Sequence, residues 1–293
     1  MKKLWMCIAL SLCLLLSAVA LAESYDGFSY KAYYPEYDEG TLDGWIATDY
    51  ADTDGMLLYM HGENAELTVS LQDRSDAPTL QDLTDAQLES VSSYGTITRE
   101  AEQRDWYAAW EQNDAGCRLS YSYTFGRTPD ATVYDVVKYM AVLDDDKYVM
   151  IELVDRSGDV ETAAARLESG FLQSLTVGSF DVTGSSSAYL TSADEKDGVV
   201  YLTLQTFEVV TSEDGTGYDV QVTGQSEVVE LSADARILAP ADRNTGMLSD
   251  IGISGKAINE FMDGYRAENG DDCVFNILFS DGKVRWMTYS YLF

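Results

Sequence analysis

A serine or cysteine nucleophile needs a neighbouring base to take its proton, most often histidine, and this chain has one histidine, His61. It lies in the stretch MLLYMHGEN, with no serine elbow nearby and no G-x-S-x-G anywhere in the chain. That placement reads as a turn or surface histidine. Ser280-Asp281-Gly282-Lys283 has the S-x-x-K spacing of penicillin-binding enzymes. That chemistry needs serine and lysine on one face at a helix start. Here Asp-Gly between two alternating runs predicts a hairpin, and no K-T-G or S-D-N accompanies it. Ser254-Gly255-Lys256 is similar to the end of a phosphate loop, but Asp250 stands where its first glycine is required.

Metal chemistry fares no better. Structural zinc takes four Cys or His ligands, and catalytic zinc pairs histidine with carboxylate. One histidine and two separated cysteines, Cys117 and Cys273, do not supply such a set. Calcium suits so acidic a chain. An EF-hand loop, however, wants acidic or amide ligands at 1, 3 and 5, glycine at 6 and glutamate at 12. With Gly55 at position 6, Asp52 and Asp54 fall correctly, but Tyr50 and His61 occupy the first and last places. Registers on Gly198 and Gly215 begin with Ala193 and Val210. Asp144-Asp145-Asp146 reads as an acidic turn between strands. Paired carboxylates hydrolyse glycosides without histidine, but among 50 acidic residues composition selects no pair. Tyr121, Tyr123, Trp286, Tyr289, Tyr291 and Phe293 could stack on sugar faces, although tyrosine and tryptophan are also favoured strand residues. No catalytic, cofactor-binding or metal-ligating residue is assigned, and no cofactor is expected.

Residues 1–22 read as a cleavable signal peptide: Lys2 and Lys3, an apolar run from Leu4 to Val19, and the small-x-small site Ala20-Leu21-Ala22. The run is short for a bilayer span, and no later stretch is long and apolar enough to be one. The working chain is therefore expected outside the cytoplasm. Without Lys2 and Lys3, 17 basic residues face 50 acidic ones and the formal charge moves from −31 to −33. Such a surface repels nucleic acid and anionic lipid, whose affinity for proteins comes largely from Lys and Arg, and it favours solubility or a basic partner. Cys117 and Cys273 remain after export. Each sits in an alternating segment, as a buried thiol does. A disulfide is permitted outside the cell, but the two fall in different expected domains.

The elements that would position any site divide at a seam. Gly178–Ser187 contains the small polar run GSSS, and 179–187 reads as a linker between domains at 25–178 and 188–293. In the first half, Leu67, Val69 and Leu71 alternate with polar residues, as do Cys117, Leu119, Tyr121, Tyr123 and Phe125. Thr132–Leu143 and Tyr148–Val154 read as further strands. A helix follows Thr79 or Thr84, each opening a possible cap (Thr79-x-x-Asp82, Thr84-x-x-Gln87). A second starts at Asp159 and keeps a helical period through Val160, Ala164, Leu167, Phe171 and Leu175.

This order, from a strand ending in Tyr34-Pro35 through ELTVSLQD, a helix, antiparallel strands and a closing helix FLQSLTV, resembles the PsbP-like superfamily over about 150 residues. That superfamily also contains a Ran-binding nuclear import factor and bacterial envelope proteins. The resemblance implies an α+β protein whose first half is a three-layer α/β/α sandwich on an antiparallel sheet. It also implies a binding or accessory role, and it carries no functional residue across. The second half is expected to be a small OB-like barrel of order β-β-β-α-β-β. Its strands are Val199–Val210, Tyr218–Leu231, Ala235–Leu238, Cys273–Phe279 and Val284–Leu292, with a helix opened by Ser254 and stopped at Asn269-Gly270. Pro240–Ile253 is long for a loop in such a barrel. The expected function is a secreted, non-enzymatic binding or accessory protein, engaging a protein or cell-envelope component. The alternative is a secreted carboxylate-based hydrolase acting on glycans.

Overall fold

Strands account for 62% of the described residues and helices for 21%. A computed structural model describes residues 29–48, 55–74, 79–108, 115–125, 131–143, 146–211, 218–242, 247–269 and 273–290. The expected signal peptide, 1–22, lies outside them. The chain divides into two compact units, one of Tyr33–Ser179 and one chiefly of Phe180–Arg243 with Leu248–Phe293.

The first unit is built on a seven-stranded antiparallel sheet. In chain order its elements are β1 (Tyr30–Glu36), β2 (Ile46–Thr48), β3 (Met56–His61), β4 (Ala65–Asp73), α1 (Leu80–Tyr94), β5 (Gly95–Asp105), β6 (Gly116–Phe125), β7 (Val133–Val142) and β8 (Lys147–Asp155). Then come α2 (Val160–Ser169), α3 (Phe171–Ser174) and β9 (Thr176–Val182); Tyr30–Ala32 of β1 and Phe180–Val182 of β9 belong to the second unit. The sheet order is β2-β3-β4-β8-β7-β6-β5, and β1 pairs separately with β9. Leu67, Val69, Val137, Tyr139, Ile151 and Leu153 are buried with Ala164, Leu167 and Phe171 on one face. Leu119, Tyr121, Val136 and Met140 are buried with Leu83 and Val91 of α1 on the other.

Thr79 is the cap of α1. Its hydroxyl accepts from the Asp82 amide at 3.1 Å, and the Asp82 carboxylate accepts from the Thr79 amide at 3.1 Å, a closed capping box. Thr84 instead lies inside the helix, its hydroxyl bonded back to the Leu80 carbonyl at 3.0 Å. Thr79→Ala is expected to cost about 1 kcal/mol in urea unfolding, and an unchanged midpoint would show that the box contributes nothing. Asp159 does stand at the start of α2, but its side chain makes no cap hydrogen bond. The single helix expected through Leu175 is broken at Gly170 (φ −133°, ψ −85°), after which α3 makes one turn.

The second unit contains β10 (Gly184–Lys196), β11 (Val199–Thr211), β12 (Tyr218–Asp242), β13 (Met247–Asp250), α4 (Gly255–Asn269), β14 (Cys273–Ser280) and β15 (Lys283–Tyr289). The order β11-β10-β14-β15-β12-β13, with a further β11–β12 pairing, closes five strands into a ring, with β13 outside it. Of the ring's pairings, β12–β15 is parallel and the other four are antiparallel. Leu190, Leu202, Ile237, Phe275, Ile277 and Met287 fill it, together with Ile258 and Met262 of α4. The Asn259 amide fastens α4 to β10, accepting from the Ala193 amide at 3.0 Å and donating to the Ala193 carbonyl at 2.6 Å. Two Asp-Gly pairs turn the hairpins: Asp197 (φ 54°) with Gly198 (φ 79°), and Asp281 (φ 49°) with Gly282 (φ 74°). Positive φ at both positions is the type I′ geometry that matches strand twist.

The expected α+β class, with its PsbP-like α/β/α sandwich, is overturned. The chain is mostly strand in three sheets, with only three helices of ten residues or more among the described residues. The expectation undercounted strands because it relied on apolar alternation. β5 (GTITREAEQRD) is a charged edge strand, and β10 (GSSSAYLTSADEK) opens on small polar residues. The stretch 179–187 is strand apart from Thr183, with Val182 fully buried and Gly184–Leu190 paired with Phe279–Cys273, and the division between the two units falls in it, after Ser179. The long stretch Pro240–Ile253 holds the end of β12 and all of β13, and Ala235–Leu238 is part of β12.

Candidate ligand-binding surface

The helix α1 lies mainly over β5 and β6 and reaches β7 and β8 through Gln87, which bonds Lys138 and Tyr148, and it stops at Tyr94 because Gly95 enters β5 directly. A Cβ on Gly95 would lie 2.9 Å from the Tyr123 ring and 3.0 Å from the Thr124 carbonyl, so glycine lets the strand pass beneath that ring. Past the helix end Tyr123, Tyr134 and Val154 are only half-buried among the described residues, and strand register decides what the sheet face shows. Tyr123 on β6 pairs with Tyr134 on β7, and their rings stack at 5.2 Å and 20°. Tyr94 meets Tyr123 edge-on at 5.9 Å and Phe125 at 5.9 Å. Tyr94 is 45% exposed and Phe125 64%.

The band continues across the sheet through Arg156, just beyond β8. Its guanidinium lies 5.6 Å over the Tyr134 ring and forms an ion pair with Glu66 on β4. Glu66 pairs in register with His61 on β3, whose ring lies 6.4 Å from that of Tyr59. Tyr59, His61, Glu63, Asn64, Glu66 and Arg156 line a cleft of about 380 Å³. One residue row inward, Thr68, Glu152 and Lys138 stand opposite one another on β4, β8 and β7. Lys138 is buried, 2.5 Å from Glu152 and 2.7 Å from the Gln87 amide oxygen. The buried Lys138 and the exposed Arg156 thus each have a carboxylate at hand. Burial, with Tyr94 and Glu152 nearby, pushes the Tyr123 hydroxyl up to about 12, so the stacked ring is a neutral phenol at physiological pH.

A second polar cluster on the other face is a clamp. The buried Arg118 donates to Glu168 at 3.1 Å and to Glu161 at 2.5 Å. Glu168 also accepts from the Tyr139 hydroxyl at 2.9 Å and from Arg104 at 2.9 Å. The glutamates are seven residues apart, so both project from one side of α2 onto the sheet.

His61 is therefore half-buried in a strand and lines the cleft. Ser280 and Lys283 flank the second Asp-Gly turn, with Lys283 2.5 Å from Glu230. Ser254 caps α4, accepting from the Ala257 amide at 3.1 Å. Of the aromatic residues named above, Tyr121 and Tyr289 belong to the cores, and Trp286 lies under the Arg236 guanidinium at 5.4 Å. Tyr291, Phe293, Asp52, Asp54, Asp144, Asp145 and Gly215 lie outside the described residues. Asp146 is described, and its backbone carbonyl accepts from the Arg74 amide at 2.9 Å. No group of three or more His, Cys, Asp or Glu side chains positioned for a metal occurs among the described residues. Cys117 and Cys273 are both buried and no disulfide joins them. Burial raises the Cys117 thiol pKa, and the Thr84 hydroxyl lies 3.8 Å away. Phe125 was legible only as the end of an alternating strand, and Tyr94, Tyr134 and Arg156 carried no signal at all, since a two-residue alternation lacks the register that pairs the strands.

Among the described residues, no helix is long and apolar enough to cross a membrane. No known family model matches the chain, and no curated protein matches it.

Proposed function

We propose that this is an extracytoplasmic binding or accessory protein that holds its ligand at the ring-lined end of the seven-stranded sheet without turning it over. One observation carries the reading: Tyr94 and Phe125 are exposed, yet their rings pack on each other, Tyr94 also packs on Tyr123, and Tyr134 continues the stack to Arg156 and the cleft. Rings already fixed in place lose little entropy when a ligand arrives. A protein or cell-envelope component is the expected partner. Nucleic acid is disfavoured by the formal charge of −31.

The test is capture from a cell-envelope extract by the immobilised chain beginning at Glu23. A Tyr94→Ala/Phe125→Ala variant is expected to retain at least tenfold less of the captured component while keeping its circular dichroism and melting temperature. Equal capture by both proteins would overturn the assignment of this surface. Turnover of a glycan, ester or peptide by the purified chain, abolished by changing one carboxylate, would overturn the non-enzymatic reading.

A further inference from the structure

Resting on the binding reading above, we infer that the band from His61 to Phe125 takes a neutral, hydroxyl-rich glycan chain. The first support is charge. The chain has 50 acidic residues against 19 basic ones, yet this surface is close to balanced, with Glu66 paired to Arg156 and Glu152 to Lys138. Glu63 is the one further acid lining the cleft. A basic peptide would find its natural counter-charges elsewhere on this protein and would meet Arg156 in the middle of the band. An anionic polymer would meet the field of the whole acidic chain. A neutral ligand suffers neither repulsion.

The second support is the pattern of groups. A sugar ring presents a patch of slightly positive C–H bonds on its face and hydroxyls around its edge. Tyr94 and Phe125 offer exposed ring surface, whose negative face suits C–H bonds. At the cleft end, Asn64 and Tyr59 both donate and accept, Arg156 donates, and Glu63 and Glu66 accept. That mixture is what a ligand of many hydroxyls requires. The third is length. From β3 across β4, β8 and β7 to β6 there are four interstrand steps of about 4.8 Å, roughly 19 Å in all. That span fits several linked sugar rings rather than one.

The experiment is native affinity electrophoresis of the chain from Glu23 in gels carrying, separately, a β-glucan, an α-glucan, a galactomannan or glycol chitin, with poly-L-lysine as the cationic control. Retardation by at least one of the neutral polysaccharides is expected, and it should persist in 0.5 M salt because no ion pair holds the complex. Phe125→Ser and Tyr94→Ala, each at an exposed ring, should weaken retardation at least tenfold without shifting the melting temperature. Arg156→Gln should weaken it several-fold. If none of the neutral polysaccharides retards the chain, the inference fails. It fails also if poly-L-lysine alone binds through these rings and is released by salt. In either case ring-dependent capture from the envelope extract would leave the binding reading standing, whereas capture indifferent to the rings would remove both.

Discussion

Replacing Arg118 with methionine is expected to destabilise the seven-stranded unit by about 3 kcal/mol, read as a fall of roughly 10 °C in its calorimetric transition. The side chain is 3% exposed and bridges β6 to Glu161 and Glu168 of α2. Its loss leaves Glu168 with Tyr139 and Arg104 as partners. Methionine keeps most of the stem's volume, so the effect reads the charge and its hydrogen bonds rather than a cavity. The figure sits at the low end for a broken buried pair because both glutamates reach solvent. Glu161→Gln is the internal control: at 59% exposure its contact with Arg118 is worth about 1 kcal/mol or less. A loss below about 1 kcal/mol for the methionine variant would mean that α2 is held by its apolar stripe alone.

Phe275→Ala should weaken the ring-shaped unit by about 4 kcal/mol, measured by the same calorimetry. Phe275 is fully buried on β14 and meets Phe261 of α4 at 6.3 Å and Tyr289 of β15 at 5.8 Å, both edge-on. Alanine removes the ring that joins the helix to two neighbouring strands and leaves a void that close-packed neighbours fill only in part. Phe275→Leu retains most of the volume and should cost under about 2 kcal/mol. A loss below 1 kcal/mol for the alanine variant would show that α4 settles onto the ring without it.

The parts that were legible in the chain are those whose physics is local. Thr79-x-x-Asp82 closes its box over three residues, and Asp281-Gly282 supplies two positive φ values in adjacent places. Cys117 to Phe125 alternates because Cys117, Leu119, Tyr121 and Tyr123 face the core shared with α1, while Arg118 and Ser122 turn to polar partners on the opposite face. Where burial is uneven the pattern faded. β5 needs no apolar stripe along an edge, and its charges and register shifts between Ile97 and Glu102 discourage further pairing. The GSSS run looked like a flexible connector, yet pairing with β14 satisfies its backbone, and Ser187 bonds across to Asn276 at 2.7 Å. Asp159 shows the reverse case: a residue suited to capping stands at the cap position while its side chain makes no such bond.

The sequence by itself determined the charge, the capped start of α1, the hairpin at Asp281-Gly282 and the main alternating strands, because each depends on residues near one another in the chain. Only the tertiary structure decided that Tyr94, Phe125, Tyr134, Arg156, Glu66 and His61 share one surface. These residues come from five strands or their ends and from a helix terminus, and interstrand register brought them together. A shift of one residue in any of those pairings would turn the affected side chains to the opposite face of the sheet.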